Sequence, residues 1–194
     1  MPIGPILLVL AVIQRLLELR RSSLNRQQMA ERGYVSREPA GALAVMIALH
    51  LGFFAGCIFE PFFFPVALPP ALVYAGAALF LCGQALRLWA LRTLGTDWNI
   101  AVMAPEKGTP AAGTFAASGP YRYIRHPNYL AVILEFVGLP LACSAPVTAA
   151  ACSVMNARVL ARRIRLEESY LHLRPGYPEY AATHPRFIPR LFGR

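Results

Sequence analysis

An all-α integral membrane bundle of about five transmembrane helices is the fold class that this 194-residue sequence predicts. Hydrophobic residues make up 56% of the chain and charged residues only 15%, and the mean hydropathy of +0.45 is above that of ordinary soluble domains. The apolar residues gather into stretches close to the roughly 20 residues that cross a bilayer as a helix. The net charge of +9 falls in alternate connections, which favours a membrane topology over nucleic-acid binding.

Three apolar stretches lie in the N-terminal part, and the sequence predicts helices over 3–19, 40–59 and 71–91. The first stretch ends in Gln14, Arg15 and Glu18 and lacks the basic start and the cleavage site of a signal peptide, so we interpret it as a retained helix. We therefore expect a single domain over 1–194, with three transmembrane helices in 1–91 and a core in 92–194 that carries the functional residues.

The fourth and fifth helices are expected on either side of the turn at Ser144, Ala145 and Pro146, as a helical hairpin. The connection 20–38 carries five arginines, whereas 60–70 and the hairpin turn carry no Lys or Arg. The positive-inside rule then predicts an N-terminus outside and a C-terminus in the cytoplasm.

The segment 95–128 is too long for an ordinary connection, and loops of this length are usually functional. It ends in the motif Gly119-Pro-Tyr-Arg-Tyr-Ile-Arg-His-Pro-Asn-Tyr129. A proline is favoured at the first position of a helix, so we expect a helix to begin near Pro127, with unpaired N–H groups that suit an anionic part of a ligand. The alternative is that Arg122, Arg125 and His126 form a basic collar for lipid headgroups.

The predicted fifth helix carries Asn156, Arg163 and Glu167 at spacings that place them on one face. This stripe indicates a polar ligand site, although Arg163 and Glu167 also have the spacing of a surface ion pair. Within the other predicted spans, His50 is either a satisfied interior histidine or a functional one, and Arg87 either serves a cavity or extends to the membrane boundary. The four cysteines lie in apolar stretches without paired spacing, which indicates neither a metal site nor a disulfide framework.

The 119–129 motif, followed by Arg163, the pair Glu167-Glu168 and Leu171, resembles the isoprenylcysteine carboxyl methyltransferase family. The resemblance extends over 95–189 and includes Tyr177-Pro-Glu-Tyr180. The stretches 14–18, 88–95 and 156–158 are similar to a bacterial branch, the alkylpyrone and phenolic-lipid O-methyltransferases associated with polyketide synthases.

The resemblance implies that S-adenosylmethionine binds in a cytoplasm-facing pocket closed by the C-terminal tail, and that a lipophilic acceptor enters from the bilayer. Arg163 would be the catalytic residue and would bind the acceptor together with Asn156. The residues that the resemblance assigns to the cofactor are Gly113, Thr114, Phe115, Ala116, Tyr121, His126, Pro127, Asn128, Tyr129 and Glu167.

The resemblance favours O-methylation of an alkylpyrone or alkylresorcinol in a bacterial inner membrane, with a functional link to a polyketide synthase. The alternative acceptor is a prenylcysteine carboxylate. Two other classes of protein stay open from the sequence, an NADPH-dependent membrane reductase and a nonenzymatic lipid-binding protein.

Overall fold

The computed structural model describes residues 3–106 and 115–189, which form a bundle of five long helices with a small sheet and a short helix at one end. The α-helices are α1 (Ile3–Glu31), α2 (Ala42–Phe63), α3 (Pro70–Leu94), α4 (Pro127–Ala142), α5 (Pro146–Leu171) and α6 (Tyr177–Thr183). Strands β1 (Tyr34–Ser36) and β2 (Met103–Pro105) pair antiparallel, with Val35 opposite Ala104.

Proline defines where three of the long helices begin. Pro70, Pro127 and Pro146 each stand at the start of their helix, where the missing N–H costs no hydrogen bond. The helix expected near Pro127 and the hairpin expected around Ser144 are therefore present. At the N-terminus of α5, Glu60 from the end of α2 accepts hydrogen bonds from the backbone N–H groups of Val147 and Thr148, at 2.8 and 2.7 Å.

Helices α3 and α4 form the closest pair in the bundle because glycines stand where they meet. A Cβ added to Gly138 would lie 2.5 Å from the backbone nitrogen of Phe80, and one added to Gly76 would lie 2.7 Å from Leu141 Cβ. Small residues at such crossings let backbones approach, which is a common means of packing helices in membranes. Around this contact Phe53 of α2 stacks on Phe136 of α4 at a centroid distance of 4.3 Å, and both rings are fully buried.

Two helices in the described part of the chain, α2 and α3, are long and apolar enough to cross a membrane by length and composition. Helix α4 has 16 residues and a length of about 24 Å, short of the roughly 30 Å hydrocarbon core. Helix α5 has 26 residues, a length of about 39 Å, which is more than the roughly 30 Å hydrocarbon core. The count of five full spans and the orientation of the termini stay predictions.

The expected helical fold is confirmed, with the two-stranded sheet of β1 and β2 as an addition; strands of three residues are too short for a period of two to be visible. One expectation needs correction. The connection 20–38 is helical as far as Glu31, since polar residues continue α1 beyond its apolar part. The first half of α1 faces the apolar bundle, and its second half supports the loop that follows α3.

Candidate functional site

A cavity of about 1390 Å³ runs between the helices and opens toward the end of the bundle that carries the sheet and α6. Its polar part is lined by the segments 97–106 and 115–129 and by the last turns of α5. Its apolar part lies between α1 and α2 and is lined by Leu16, Leu19, Ile47, Leu51 and Phe54. One continuous space therefore connects a polar binding region with an apolar one.

Most of the residues assigned from the sequence face this cavity. Those in its lining are Phe115, Ala116, Tyr121, His126, Asn128, Tyr129, Asn156, Arg163 and Glu167. Pro127 is buried at the first position of α4 and does not face the cavity, since its ring starts the helix instead. Gly113 and Thr114 lie outside the described residues.

The polar part of the cavity is organised by Tyr129 and Glu167. The Tyr129 hydroxyl donates a hydrogen bond of 2.5 Å to Glu167 Oε2, and the Arg163 guanidinium lies 5.9 Å from the centre of the Tyr129 ring. Carboxylate, phenol ring and guanidinium from α4 and α5 thus stand side by side. Such a set can hold a cationic and an anionic group close together.

Arg163 is fixed by groups that sequence reasoning did not identify. Its Nη1 lies 3.1 Å from Glu38 Oε1 and 3.2 Å from Met46 Sδ, and its Nη2 donates to the carbonyl oxygen of Ile100. Its Nε is shielded from solvent and has no hydrogen-bond partner among residues 3–106 and 115–189. The alternative interpretation of Arg163 and Glu167 as a surface ion pair does not hold among the described residues, because Arg163 pairs with Glu38 of the α1–α2 connection.

The loop after α3 takes its shape from the polar half of α1. Asn25 donates hydrogen bonds to the carbonyl oxygens of Trp98 and Gly95, at 2.7 and 3.1 Å. Asn99 Nδ2 donates to the Ser22 carbonyl oxygen at 2.8 Å, and the Ser22 hydroxyl accepts from Ile100 N at 3.1 Å. The carbonyl that meets Arg163 is thereby positioned from α1. The amide and hydroxyl spacing along 22–25 was the available signal in the sequence.

Glu168 joins the last segment of the chain to the 119–129 motif. Its Oε1 lies 3.0 Å from both Arg125 Nη1 and His126 Nε2, and Arg186 reaches the two carboxylate oxygens at 3.1 and 2.6 Å. The backbone N–H groups of Arg125 and His126 donate to the carbonyl oxygens of Pro185 and Arg186, at 2.9 and 3.1 Å. We call this set the tail clamp.

The electrostatics of the tail clamp favour an ionised Glu168. Burial acts to raise the pKa of this carboxyl, but hydrogen bonds from His126 and Arg186 and the charge of Arg125 outweigh burial and lower the pKa to about 2. The carboxylate therefore keeps its charge over the physiological range. Glu167 and Glu168 are adjacent in the sequence, but Glu167 lines the cavity and Glu168 belongs to the tail clamp.

Aromatic side chains close the polar end of the cavity. The Phe115 ring lies 5.2 Å from the Tyr177 ring and 4.9 Å from the Tyr180 ring, and the Tyr180 hydroxyl donates to the backbone oxygen of Tyr121. Burial raises the pKa of Tyr177 and of Tyr180 to about 12, so both hydroxyls stay protonated donors at neutral pH. Helix α6 thus packs over the segments 115–117 and 119–122.

A network of four charged side chains lies in the bundle beside the apolar part of the cavity. Glu18 receives two hydrogen bonds from Arg87, at 2.5 and 2.6 Å, and one from Arg15 at 2.9 Å. Arg15 also reaches both oxygens of Glu135, at 2.9 and 3.0 Å. Arg87 is buried and pairs inside the bundle, so it does not extend to the membrane boundary. Through Glu18 and Arg15, α1 is joined to α3 and α4.

Helices α1 and α2 border the apolar part of the cavity from two sides. These helices both line the cavity but do not pack closely against each other. On the two rims Leu16 is 60% and Leu51 is 65% exposed, although both residues also line the cavity. Exposed apolar side chains thus stand on both edges of this part of the cavity.

The residues present fit a ligand with both hydrogen-bond donors and a positive charge. Asn128 Oδ1 faces no solvent, has no hydrogen-bond partner among the described residues, and belongs to a cavity-lining side chain. A buried acceptor of this kind is costly unless a ligand supplies the donor. No group of three or more metal-ligating side chains occurs in residues 3–106 and 115–189.

Comparison with known proteins identifies a matching family and several relatives. The model of the isoprenylcysteine carboxyl methyltransferase (ICMT) family matches residues 76–173. The uncharacterized protein YpbQ of Bacillus subtilis is 32% identical over 167 residues, which cover 86% of this chain and 95% of that protein. Protein-S-isoprenylcysteine O-methyltransferase B of Arabidopsis thaliana is 30% identical over 116 residues, covering 59% of this chain and 57% of the plant protein.

A solved structure shows the same relation. The eukaryotic intramembrane Ras methyltransferase ICMT matches with a TM-score of 0.58 and 25% sequence identity, over 80% of this chain and 54% of that one. The chain thus spans nearly all of its bacterial relative and little more than half of these two eukaryotic proteins.

Proposed function

This chain belongs to the isoprenylcysteine carboxyl methyltransferase family and is a membrane methyltransferase, and we propose that it methylates an anionic oxygen of a lipophilic acceptor with S-adenosylmethionine. The observation that carries this proposal is the position of Arg163. Arg163 lines a cavity that joins a polar region to an apolar region between α1 and α2. A reaction between a water-soluble donor and a membrane-dissolved acceptor requires such a junction.

The polar part of the cavity is the proposed cofactor site. The Asn128 side-chain oxygen and the Glu167 carboxylate would accept hydrogen bonds from the ammonium or hydroxyl groups, and Tyr121 and Tyr129 would supply aromatic walls for a cation. His126 and Pro127 would form the helix entrance, with Phe115 and Ala116 on the opposite side. Gly113 and Thr114 stay part of the proposed site on the resemblance alone. When bound, S-adenosylmethionine supplies an electrophilic methyl group on a sulfonium.

The tail clamp supports a pocket that closes behind the cofactor. Glu168 ties the segment 185–187 to the start of α4, and Tyr180 ties α6 to the segment that precedes it. We therefore propose that the C-terminal segment excludes water from the reacting groups. In the proposed orientation this end would face the cytoplasm of a bacterial inner membrane, the N-terminus would lie outside, and α1 to α5 would form the membrane-embedded part of a single domain.

The chemistry requires orientation more than acid or base. The acceptor oxygen would bond to the methyl carbon that S-adenosylmethionine supplies. The electron pair of the broken carbon–sulfur bond would stay on sulfur. A carboxylate is already ionised near neutral pH, so no proton has to move. Arg163 would hold this oxygen in line, with Asn156 as a second polar contact, and positioning of this kind supplies several kcal/mol of a barrier.

The favoured acceptor is the carboxylate of a prenylated cysteine or a lipid carboxylate of similar shape. This choice rests on the names of the plant and animal relatives, which are protein-S-isoprenylcysteine O-methyltransferases. The comparisons give no support to the alkylpyrone or alkylresorcinol acceptor or to the link with a polyketide synthase. Membership in a methyltransferase family also decides against the NADPH-dependent reductase and the nonenzymatic lipid-binding protein.

The test is transfer of radiolabelled methyl from S-adenosylmethionine into organic-extractable product by the purified protein, with prenylcysteines, alkylpyrones and alkylresorcinols in parallel. We expect label in the prenylcysteine and a loss of about 100-fold in kcat/KM for Arg163→Lys, because an ammonium cannot replace a planar guanidinium in several contacts. Arg165→Lys is the matched control, since Arg165 is exposed on the same helix. Equal activity of the two variants would remove Arg163 from the mechanism.

A further inference from the structure

A polar side chain of α2 also lines the cavity. His50 of α2 lines the cavity, yet it lies outside the residues 76–173 that match the family. Its ring packs edge-on against Phe136 at a centroid distance of 5.2 Å. The side chain thus stands where the polar part of the cavity gives way to the apolar part.

The hydrogen bonding of His50 determines which ring nitrogen is available. Nδ1 lies 2.8 Å from the carbonyl oxygen of Met46, one helical turn earlier. Because a carbonyl oxygen only accepts, Nδ1 carries the proton, and in the neutral ring Nε2 is left with a lone pair. Nε2 has no hydrogen-bond partner among the residues that the structure describes, and His50 lines the cavity. His50 therefore offers a hydrogen-bond acceptor to a ligand.

The charges around His50 favour its neutral form. Arg15 and Glu135 come from α1 and α4, and Glu18 and Arg87 from α1 and α3. Two guanidinium groups and two carboxylates balance in this network, so a protonated His50 would add an uncompensated charge within a predicted span. The available nitrogen is an acceptor and not a donor.

Met46 relates His50 to the reaction site. The Met46 sulfur contacts Arg163, and the Met46 carbonyl holds the His50 ring. Residues four apart on a helix are about 6 Å apart along its axis. An acceptor oxygen held at Arg163 would therefore place a neighbouring group of the same head group near His50 Nε2.

We infer that His50 is a specificity-determining residue that accepts a hydrogen bond from an O–H or N–H group of the acceptor, beside the oxygen that is methylated. This inference rests on the proposed function and narrows its substrate class. The required donor occurs in two kinds of lipid, the amide N–H of a prenylated cysteine and the second hydroxyl of an alkylresorcinol. A lipid acid without such a donor would leave His50 unpaired and would be the poorer substrate.

The experiment compares acceptors in matched pairs. One pair is N-acetyl-S-farnesylcysteine and S-farnesylmercaptopropionate, which have the same farnesyl chain and carboxylate, with and without the amide. The other pair is a 5-alkylresorcinol and the 3-alkylphenol with the same chain. Methyl transfer and equilibrium binding of each acceptor are measured with the wild-type protein and with His50→Leu, His50→Gln and Val45→Leu. Val45 is the control because it is exposed on the same helix and does not line the cavity.

We expect the wild-type protein to prefer the donor-bearing member of one pair by about tenfold, the usual contribution of one buried hydrogen bond. His50→Leu should remove this preference, His50→Gln should restore part of it through its amide oxygen, and Val45→Leu should leave it unchanged. The pair that shows the effect identifies the source of the donor.

Equal discrimination by the wild-type protein and His50→Leu in both pairs would overturn the inference while leaving the methyltransferase assignment intact. If no acceptor is methylated, the proposed acceptors are wrong, and the binding measurements still decide. A preference in binding that depends on His50 would support the inference, and equal binding within both pairs would overturn it.

Discussion

Replacement of Glu168 by Gln removes the negative charge of the tail clamp while keeping the size of the side chain. The buried carboxylate meets Arg125 and His126, whose side chains are 14% and 3% exposed, and Arg186, whose side chain is 50% exposed. Loss of one partner from a buried charged set costs about 3–5 kcal/mol. Arg186 contributes less than a buried partner would, because water screens its half-exposed side chain. We therefore expect docking of the segment 185–187 to weaken by about 2 kcal/mol, which is about 30-fold.

The assay has two readouts. Equilibrium dialysis with labelled S-adenosylmethionine should show a Kd raised by up to this factor, because affinity falls with the fraction of molecules in the closed form. Limited proteolysis should show faster cleavage after Arg186. Glu179→Gln is the matched control, since Glu179 is exposed on α6. If Glu168→Gln binds the cofactor as tightly as the control and its tail is cut no faster, the tail clamp does not close the pocket.

The remaining predictions concern pH and stability. The pKa of Glu168 is lowered in the folded protein from 4.5 to about 2, so the stabilisation of the tail by its carboxylate is fully present above pH 4.5 and is lost as the pH falls through about 2. Protease protection of the tail should therefore be constant between pH 7 and 5. A decline in that range would contradict the role of the Glu168 carboxylate in the tail clamp. Gly138→Ala should destabilise the bundle by about 1–3 kcal/mol, seen as a lower Tm in detergent, because its Cβ would lie 2.5 Å from Phe80 N; an unchanged Tm would show that α3 and α4 move apart freely. Glu18→Leu should cost about 3–5 kcal/mol by leaving Arg87 unpaired, and adding Arg87→Leu should recover much of this loss; additive losses would mean that the pair does not couple.

The sequence predicted the fold where apolar length and proline position are sufficient. Helices α2 to α5 begin within a few residues of their expected starts, because Pro70, Pro127 and Pro146 cannot continue a preceding helix. The sheet was not predictable, since its strands, three residues each, come from segments separated by α2 and α3 and are stable only as a pair. The second half of α1 was missed because its surface is polar, and apolar length was the criterion for a helix.

The candidate site divides in the same way. Arg163 and Glu167 were identified because helical spacing places them on one face, and both line the cavity. Glu38 and Glu168 were not identified as partners, because which carboxylate meets which guanidinium depends on how the connections pass over the bundle. Long-range ion pairs leave no periodic signal in a sequence. The tail clamp therefore had to be found in three dimensions.

The charged network specifies the position of α1 in the bundle. Within a bilayer, the hydrophobic effect does not drive α1 onto the bundle, because lipid tails are as apolar as its leucines. Its position is specified instead by Glu18 bound to Arg87 of α3 and by Arg15 bound to Glu135 of α4. These pairs hold one face of α1 against the bundle, and the opposite rim stays apart from α2. Packing alone would let α1 shift along its neighbours. Charged pairs with two-point geometry fix the register of α1 against α3 and α4. The four buried charges therefore determine how α1 lies beside the cavity that His50 and Arg163 line.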